Sequence, residues 1–249
     1  LASSASVTHT SVRAQLTPGD DETLVPFVDQ TMNVSDPSSG KTPIQEALYL
    51  MTRKIDKGNR ASQSAQYEAL SKEARTTFVW KSMISTNATV EALEKAIASN
   101  GTEPHTWAPP EGNTALVGAG AHRSDGGDAI TVALRAGWDA GFYERKRISE
   151  GKPIAVDTFA LNTLFTTTPE DLSNWEGFDT ACRNGTMGRI TLTTSGKRLP
   201  YDDNVTDLFE ATKAVHDVME RLYKLENVNV MLPLGYGPTF HAYEDAQRK

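Results

Sequence analysis

Apolar residues recur at intervals of three and four along much of the chain, which is the spacing of amphipathic helices. The clearest helix begins at Thr42-Pro43, where Thr42 caps it, Pro43 takes the first position and Gln45 closes a capping box. Gly58 is its predicted end. The same spacing predicts further helices over residues 62–84, 89–99, 128–148, 168–182 and 204–226.

The predicted helix over residues 128–148 carries a row of small side chains beside its apolar stripe. Ala133, Gly137 and Gly141 stand four residues apart. A glycine inside a helix costs roughly 1 kcal/mol relative to alanine. Because such a cost is usually offset by the close approach of another backbone, we expect this helix to lie centrally and to be tightly packed.

Alternation of apolar and polar positions, which indicates strands, is scarcer. Residues 6–16 and 22–34 alternate and could each form an extended strand. Residues 189–201 alternate around Ser195-Gly196 and predict a β-hairpin. Residues 115–118 predict a short buried strand, and residues 156–165 fit a helix and a strand equally well. Residues 102–114 contain three prolines and predict a loop.

The two ends of the chain differ from its middle. Residues 1–41 are rich in Ser and Thr, residues 227–249 hold two prolines and two glycines, and neither segment carries enough apolar surface for a core. We therefore expect a mainly α fold with a minor β component of one hairpin and short strands. An extended N-terminal arm (1–41) and a C-terminal arm (227–249) flank a single helical core (42–226). Leu1 in place of Met indicates N-terminal processing or trimming.

The composition excludes several classes of protein. Hydrophobic residues make up 38% and charged residues 23% of the 249 residues, as in soluble globular proteins. No apolar run approaches the ~18–20 residues that cross a bilayer, so we expect no membrane span. A net charge of −7 argues against bulk coating of nucleic acid. The single cysteine, Cys182, excludes an internal disulfide framework and a cysteine zinc site, and we expect it to be a small buried residue.

The richest cluster of candidate functional side chains lies between Gly118 and Asp128. A strand, a glycine-rich loop and a helix start would form an anion site, since free N–H groups and the helix dipole favour negative charge. Gly118 and Gly120 match two positions of a dinucleotide-binding fingerprint, and no Lys-Ser/Thr pair follows, which excludes a P-loop at this position. His122, Asp125 and Asp128 are candidate acid–base or metal-binding residues. Asp125 and Asp128 serve equally as turn and cap residues.

Two further sets of residues have candidate roles. The first set is a local basic strip: Arg145, Lys146, Arg147, Lys197 and Arg198. It is a candidate contact for nucleic acid. The alternative is that these residues form a solvated helix end and a solvated turn. Five sequons are candidate glycosylation sites, where chance predicts about two: Asn33, Asn87, Asn100, Asn184 and Asn204. The excess favours an extracellular protein, although two of the five stand where a cap or turn prefers Asn.

These observations favour a structural subunit of a larger assembly, coat-like or accessory to a multi-protein complex. It would associate through its arms with copies of itself or with other subunits. The order of Asn184-Gly185-Thr186, the hairpin and the last helix is similar to that in the helical coat proteins of flexuous plant viruses, but these are common residue types and imply no membership.

Two alternative functions stay open. One is a secreted or organellar enzyme that uses the Gly118–Asp128 loop, and the other is a glycosylated extracellular binding module. We expect no cofactor and no metal ion. The predicted location is a virion, the extracellular space or an organelle.

Overall fold

The computed structural model describes residues 13–15, 24–26, 28–37, 39, 41–101, 103–112, 127–145, 153–175, 177–194, 208–225 and 229–231. The strands in these ranges are β1 (Arg13–Gln15), β2 (Leu24–Pro26), β3 (Gln30–Val34), β4 (Ile84–Ser85), β5 (His105–Trp107), β6 (Tyr143–Arg145), β7 (Ile154–Val156), β8 (Leu161–Thr167), β9 (Thr191–Thr194) and β10 (Asn229–Met231). The helices are α1 (Lys41–Ala69), α2 (Lys72–Arg75), α3 (Val90–Asn100), α4 (Gly127–Asp139), α5 (Pro169–Ser173), α6 (Phe178–Arg183) and α7 (Leu208–Tyr223).

The centre of the protein is a five-stranded parallel sheet with the strand order β4-β5-β8-β3-β9. Helices join consecutive strands of this sheet, which is the architecture of an α/β fold. The prediction of a mainly α fold built on a single helical core is therefore wrong. Strand β3, which lies in the segment predicted to be the N-terminal arm, is placed between β8 and β9.

The sheet is covered on both faces. On one face, Met32, Trp107 and Phe165 belong to the main apolar core together with α3, α4 and residues of α5 and α6. On the other face, Leu164 packs with Tyr49 of α1 in a smaller cluster. Parallel sheets need such double cover, because their strands are joined by crossovers that lie on the faces.

The sheet escaped prediction because its strands are polar and short. All residues of β8 except Leu164 are buried, yet its sequence, Leu-Asn-Thr-Leu-Phe-Thr-Thr, is neither a continuous apolar run nor a clean alternation. Strand β5 lies inside the predicted loop 102–114, and all three of its residues are buried. Tertiary packing decides the state of such segments, and local propensity does not.

Helix α1 is longer than predicted because Gly58 does not end it. A Cβ atom at Gly58 would meet nothing within 4 Å, so this position faces solvent. The opposite side of α1 packs through Met51 and Ile55 on Met83 and Met219. This packing outweighs a glycine cost of about 1 kcal/mol. The predicted second helix, 62–84, is in fact the end of α1, the short α2 and an extended segment that leads to β4.

Helix starts are predicted better than helix ends. Helices α3 and α5 begin as expected, since Thr89 and Thr168 cap them through bonds to the backbone N–H groups of Ala92 and Asp171. The predicted helix 168–182 is divided into α5 and α6, and α4 ends nine residues before the predicted Ile148.

The predicted hairpin over 189–201 lies within the described residues only in its first half. There β9 forms a strand, which pairs in parallel with β3. The turn at Ser195-Gly196 and the second half lie outside the described residues. An antiparallel pair within the described residues is formed by β6 and β7, where Tyr143 lies opposite Val156.

The two ends of the chain meet in a separate small sheet. Strand β1 pairs in parallel with β10 and antiparallel with β2. The described parts of the two predicted arms therefore contact each other within one chain. Within the part of the chain that the structure describes, no helix combines the length and the apolar character needed to cross a membrane.

The small-residue row of α4 is used at one position. A Cβ atom at Gly137 would overlap with the Cβ atom of Leu161, because α4 crosses β8 closely there.

We predict that Gly137→Ala lowers the free energy of unfolding by about 1–3 kcal/mol, the usual cost of overpacking. The matched variant Gly58→Ala adds a Cβ atom in open space and should raise it by about 0.5–1 kcal/mol. Urea unfolding of both variants checks this, and equal effects of the two substitutions would contradict the close approach of α4 and β8.

Strand β5 contains a fully buried histidine, His105. Its Nδ1 atom lies 2.8 Å from the carbonyl oxygen of Ser82, and its Nε2 atom lies 2.9 Å from Oγ of Ser85. Nδ1 therefore donates to Ser82, and Nε2 accepts from Ser85. Burial lowers the pKa of His105 to about 4, so the ring is neutral in the folded protein at pH 7.

This lowered pKa predicts a loss of stability in acid. The unfolded chain takes up the proton near pH 6.5, whereas the folded protein does so only near pH 4, so stability falls as the pH falls between these values. The full decrease in the free energy of unfolding over this pH range is about 3 kcal/mol. Urea unfolding at pH 7 and pH 4.5 should show a smaller loss for His105→Asn, which keeps a donor for Ser82 but does not titrate. The same loss in both proteins would contradict the assignment.

Candidate functional site

The glycine-rich loop singled out from the sequence lies almost wholly outside the described residues. His122 and Asp125 fall there, and Asp128 is the second residue of α4. These three candidates are therefore brought together at no site that the structure describes.

The basic strip is described only at Arg145, the last residue of β6. Its guanidinium donates to Oε1 of the fully buried Glu94 at 2.7 Å, and the hydroxyl of Tyr143 donates to the same oxygen at 2.6 Å. Burial and the bond to Glu94 raise the pKa of Tyr143. Arg145 thus takes part in an ion pair that joins α3 to β6. Outside the described residues lie Lys146, Arg147, Lys197 and Arg198.

The sequons differ in accessibility. Asn87 is exposed, Asn33 and Asn184 are half-buried, and Asn100 is buried with its amide nitrogen bonded to a backbone carbonyl. Asn204 lies outside the described residues. Among the described sequons, Asn87 alone presents an exposed side chain.

Cys182 was expected to be a small buried residue, and the structure corrects this. It lies exposed near the end of α6, while Ala181 takes the buried position beside it. Neighbouring residues of a helix point to different sides, so Ala181 faces the core while Cys182 faces solvent.

The carboxyl edge of the parallel sheet has a switch point between β3 and β8. The chain leaves β3 for α1 on one face and leaves β8 for α5 on the other. The two neighbouring connections diverge and leave a crevice at the ends of these strands. In open α/β sheets, ligands bind in this crevice.

The sequence from the end of β3 into α1 reads Ser35-Asp36-Pro37-Ser38-Ser39-Gly40-Lys41-Thr42. Its last three residues match the end of the phosphate-binding P-loop, G-x-x-x-x-G-K-[ST], at the required spacing. Ser35 stands where that pattern has its first glycine. A strand precedes the segment and a helix follows it, which is the structural context of the motif.

Sequence reasoning missed this segment, although its signal, Gly40-Lys41-Thr42, stands directly before the helix start found at Thr42-Pro43. The polar sequence of β3, Gln-Thr-Met-Asn-Val, predicted no buried strand ahead of the motif. Without that strand, the motif fell on the boundary between an arm and a helix.

The beginning of the loop continues the pairing of the sheet. The backbone N–H of Ser35 donates to the carbonyl oxygen of Thr167 at 3.0 Å, and its hydroxyl donates to Oδ1 of Asn33 at 2.5 Å. Ala140 is the one non-glycine residue of the described chain with a positive φ. Ser35 therefore occupies the first position of the motif without backbone strain.

The end of the loop is suited to an anion. The Oγ atom of Ser39 is buried and makes no hydrogen bond with the described residues. The first turn of α1 contains no acidic side chain, so its positive dipole end is not neutralised locally. Free N–H groups of such a turn are ready donors to phosphate oxygens.

Gln45, one turn into α1, connects the helix to the ends of two strands. Its Nε2 atom donates to the carbonyl oxygens of Pro109 and Leu164, each at 3.1 Å. The hydroxyl of Thr166 lies 3.3 Å from Gln45 Oε1 and donates to the carbonyl oxygen of Pro110 at 2.7 Å. These bonds fix the start of α1 against the chain that follows β5 and against the end of β8.

Carboxylates stand at the same edge of the sheet. Glu111 follows β5 by four residues and is exposed, and Asp36 follows β3 by two residues. Among the described residues, no group of three or more His, Cys, Asp or Glu side chains is placed to hold a metal ion.

A cavity of about 230 Å³ lies between α1 and the sheet beside this edge. Its walls combine aliphatic side chains of α1 and β8 with polar side chains of three strands, the loop and α1: Asn33, Ser39, Ile44, Gln45, Leu48, Leu164, Thr166 and Thr193. The described part of the candidate site thus comprises residues 35–37 and 39, the first turn of α1 and the hydrogen-bonded strand ends below it.

The chain matches no protein-family model, and neither a curated protein nor a solved structure is similar to it.

Proposed function

We propose that the protein binds the phosphate groups of a nucleoside triphosphate at the loop between β3 and α1. The observation that carries the proposal is the position of Gly40-Lys41-Thr42. This sequence follows an interior strand of a parallel sheet, and its Lys41 and Thr42 are the first two residues of a long helix. Four charges on a triphosphate suit a helix start that offers backbone donors, a lysine and no acidic side chain in its first turn.

The motif assigns each residue a role. Backbone N–H groups of the loop cradle the phosphates, Lys41 reaches the terminal phosphates, and the hydroxyl of Thr42 ligates Mg²⁺. Mg²⁺ usually binds through one or two protein oxygens and the substrate phosphates, so it needs no preformed cluster of carboxylates. Asp36 and Glu111 are carboxylates at this edge, and Glu170 and Asp171 follow the carboxyl end of β8 by three and four residues.

Ser35 stands where the motif has its first glycine, and this difference from the motif is compatible with phosphate binding. In this protein the first position of the motif is still paired with β8, through the bond from Ser35 N–H to Thr167. The turn then has to be made by the residues up to Gly40. The buried hydroxyl of Ser39 provides a donor that a phosphate oxygen would satisfy.

The test is the affinity for Mg²⁺-ATP and Mg²⁺-GTP, measured by calorimetry. We predict that Lys41→Ala weakens binding at least tenfold, because a charge-assisted bond to phosphate is worth about 1.5–3 kcal/mol. Lys57→Ala removes a lysine from an exposed position of the same helix and should leave the affinity unchanged. Failure of the wild-type protein to bind ATP, GTP, CTP and UTP, or equal affinity of Lys41→Ala, would reject the proposal.

The role of a structural assembly subunit is a second proposal. It is supported by two exposed apolar side chains at one end of α7: Val218 within the helix, 45% exposed, and Leu225 two residues beyond its end, 38% exposed. Apolar side chains left in solvent close together are typical of contacts between subunits. Light scattering at micromolar concentration should show an oligomer that Val218→Glu dissociates. A wild-type protein that is strictly monomeric under these conditions would overturn this role.

A further inference from the structure

Three aromatic side chains form an exposed cluster at the far end of α1. Tyr67 of α1 lies 5.5 Å from Phe78 and 5.3 Å from Trp80, and the rings of Phe78 and Trp80 are 5.0 Å apart. Trp80 is nevertheless 48% exposed, and Val79 between the two rings is 56% exposed. We name Tyr67, Phe78 and Trp80 the aromatic platform. A large aromatic ring held half in solvent on a folded segment indicates a binding surface.

The platform is held in place by bonds from α1 to the returning chain. The side-chain amide of Gln63 accepts from Lys81 N–H at 2.6 Å and donates to the Lys81 carbonyl oxygen at 3.1 Å. Arg60 donates to the hydroxyl of Ser82 at 2.9 Å. Arg75 donates to the carbonyl oxygens of Tyr67 and Glu68, and its guanidinium lies 5.1 Å from the centre of the Tyr67 ring. The rings are therefore preorganised.

The surroundings of the platform are positively charged, unlike the protein as a whole. Residues 56–82, which include the platform, contain five basic and three acidic side chains, a net charge of +2 in a chain of net charge −7. One of the three acids, Asp56, is buried and paired with Arg60 at 2.7 Å. Glu103, from the loop after α3, also lies beside the platform and reduces the excess by one.

A polar groove of about 290 Å³ runs next to the rings. Amide, hydroxyl and ammonium groups line most of it: Asn59, Ser62, Gln63, Gln66, Lys81 and Ser82. The carboxylates of Glu103 and of Asp56, which is paired with Arg60, also line it. Such a lining differs from the apolar centre of a protein–protein interface. Together with the rings beside it, it suits a polar chain with flat apolar faces.

We propose that the aromatic platform and this groove bind single-stranded nucleic acid. Bases stack on Trp80 and its neighbours, and the backbone phosphates follow the basic side chains around the groove. Stacking is tolerant of sequence because every base has a flat face. A double helix does not present unstacked bases, so the platform selects single strands. This proposal does not depend on the phosphate loop at the other end of α1.

The test is fluorescence anisotropy with labelled oligo(dT) and oligo(U) at low salt, with a duplex of equal length for comparison. Trp80→Ala should weaken binding about tenfold or more, the effect of removing one stacking partner. Trp80→Phe keeps an aromatic face and should restore most of the affinity. Trp138→Ala removes another tryptophan, 36% exposed and located on α4, and should have no effect. Lys81→Ala should reduce the dependence of binding on salt by about one charge.

Several results would overturn the proposal. These are no binding of either oligonucleotide by the wild-type protein, equal affinity for the duplex, and unchanged affinity in both Trp80→Ala and Lys81→Ala. Self-association that disappears in Trp80→Ala would show that a second copy of the chain occupies the platform. Lys41→Ala separates the two proposals, since it should lose nucleotide binding and retain oligonucleotide binding.

Discussion

Strand β8 is covered on both faces, so hydrogen bonds inside the protein are needed to offset the burial of the polar groups that it carries. Asn162 accepts from the backbone N–H of Asp29 at 2.9 Å, and Thr166 donates to the carbonyl oxygen of Pro110. The carbonyl oxygen of Leu164 accepts from Gln45. The partners come from the chain before β3, the chain after β5 and the first turns of α1. The hydrogen bonds to β8 therefore fix the three segments whose ends meet at the candidate phosphate site.

Helix α1 carries both proposed surfaces, one at each end. Its 29 residues span about 40 Å at 1.5 Å per residue. The helix is anchored near its middle, where the carboxylate of Asp56 accepts from Met83 N–H at 2.6 Å and pairs with Arg60. His216 of α7 adds a bond to the carbonyl oxygen of Ala47 at 2.8 Å. These contacts hold the helix against the sheet over its first half and its centre, while its last turns project towards the aromatic platform.

The sequence predicted what depends on neighbouring residues and missed what depends on distant ones. Capping residues such as Thr89 and Thr168 act within one turn, so the starts of α3 and α5 could be predicted. Residues 22–34 alternate and residues 156–165 fit a strand as well as a helix, but neither pattern indicated the interior of a sheet. Strands β3 and β8 pair with each other across more than a hundred residues and carry polar side chains, so the local sequence could not show that they are central. The candidate site depends on that pairing, because Gly40-Lys41-Thr42 indicates a phosphate-binding loop only when a strand precedes it. The aromatic platform likewise arises because α1 ends at Ala69, eleven residues before Trp80.

The distribution of charge shows why an average over the chain misleads. A net charge of −7 argues against nucleic acid only if the charges act together, yet salt screens exposed charges beyond about 8–10 Å. Residues 56–82 run from the middle of α1 to the segment before β4. A phosphate near the platform therefore responds mainly to the five basic and three acidic side chains of this segment and to Glu103. Local position, set by the length and the anchoring of α1, therefore decides which ligand charge each end of this helix attracts.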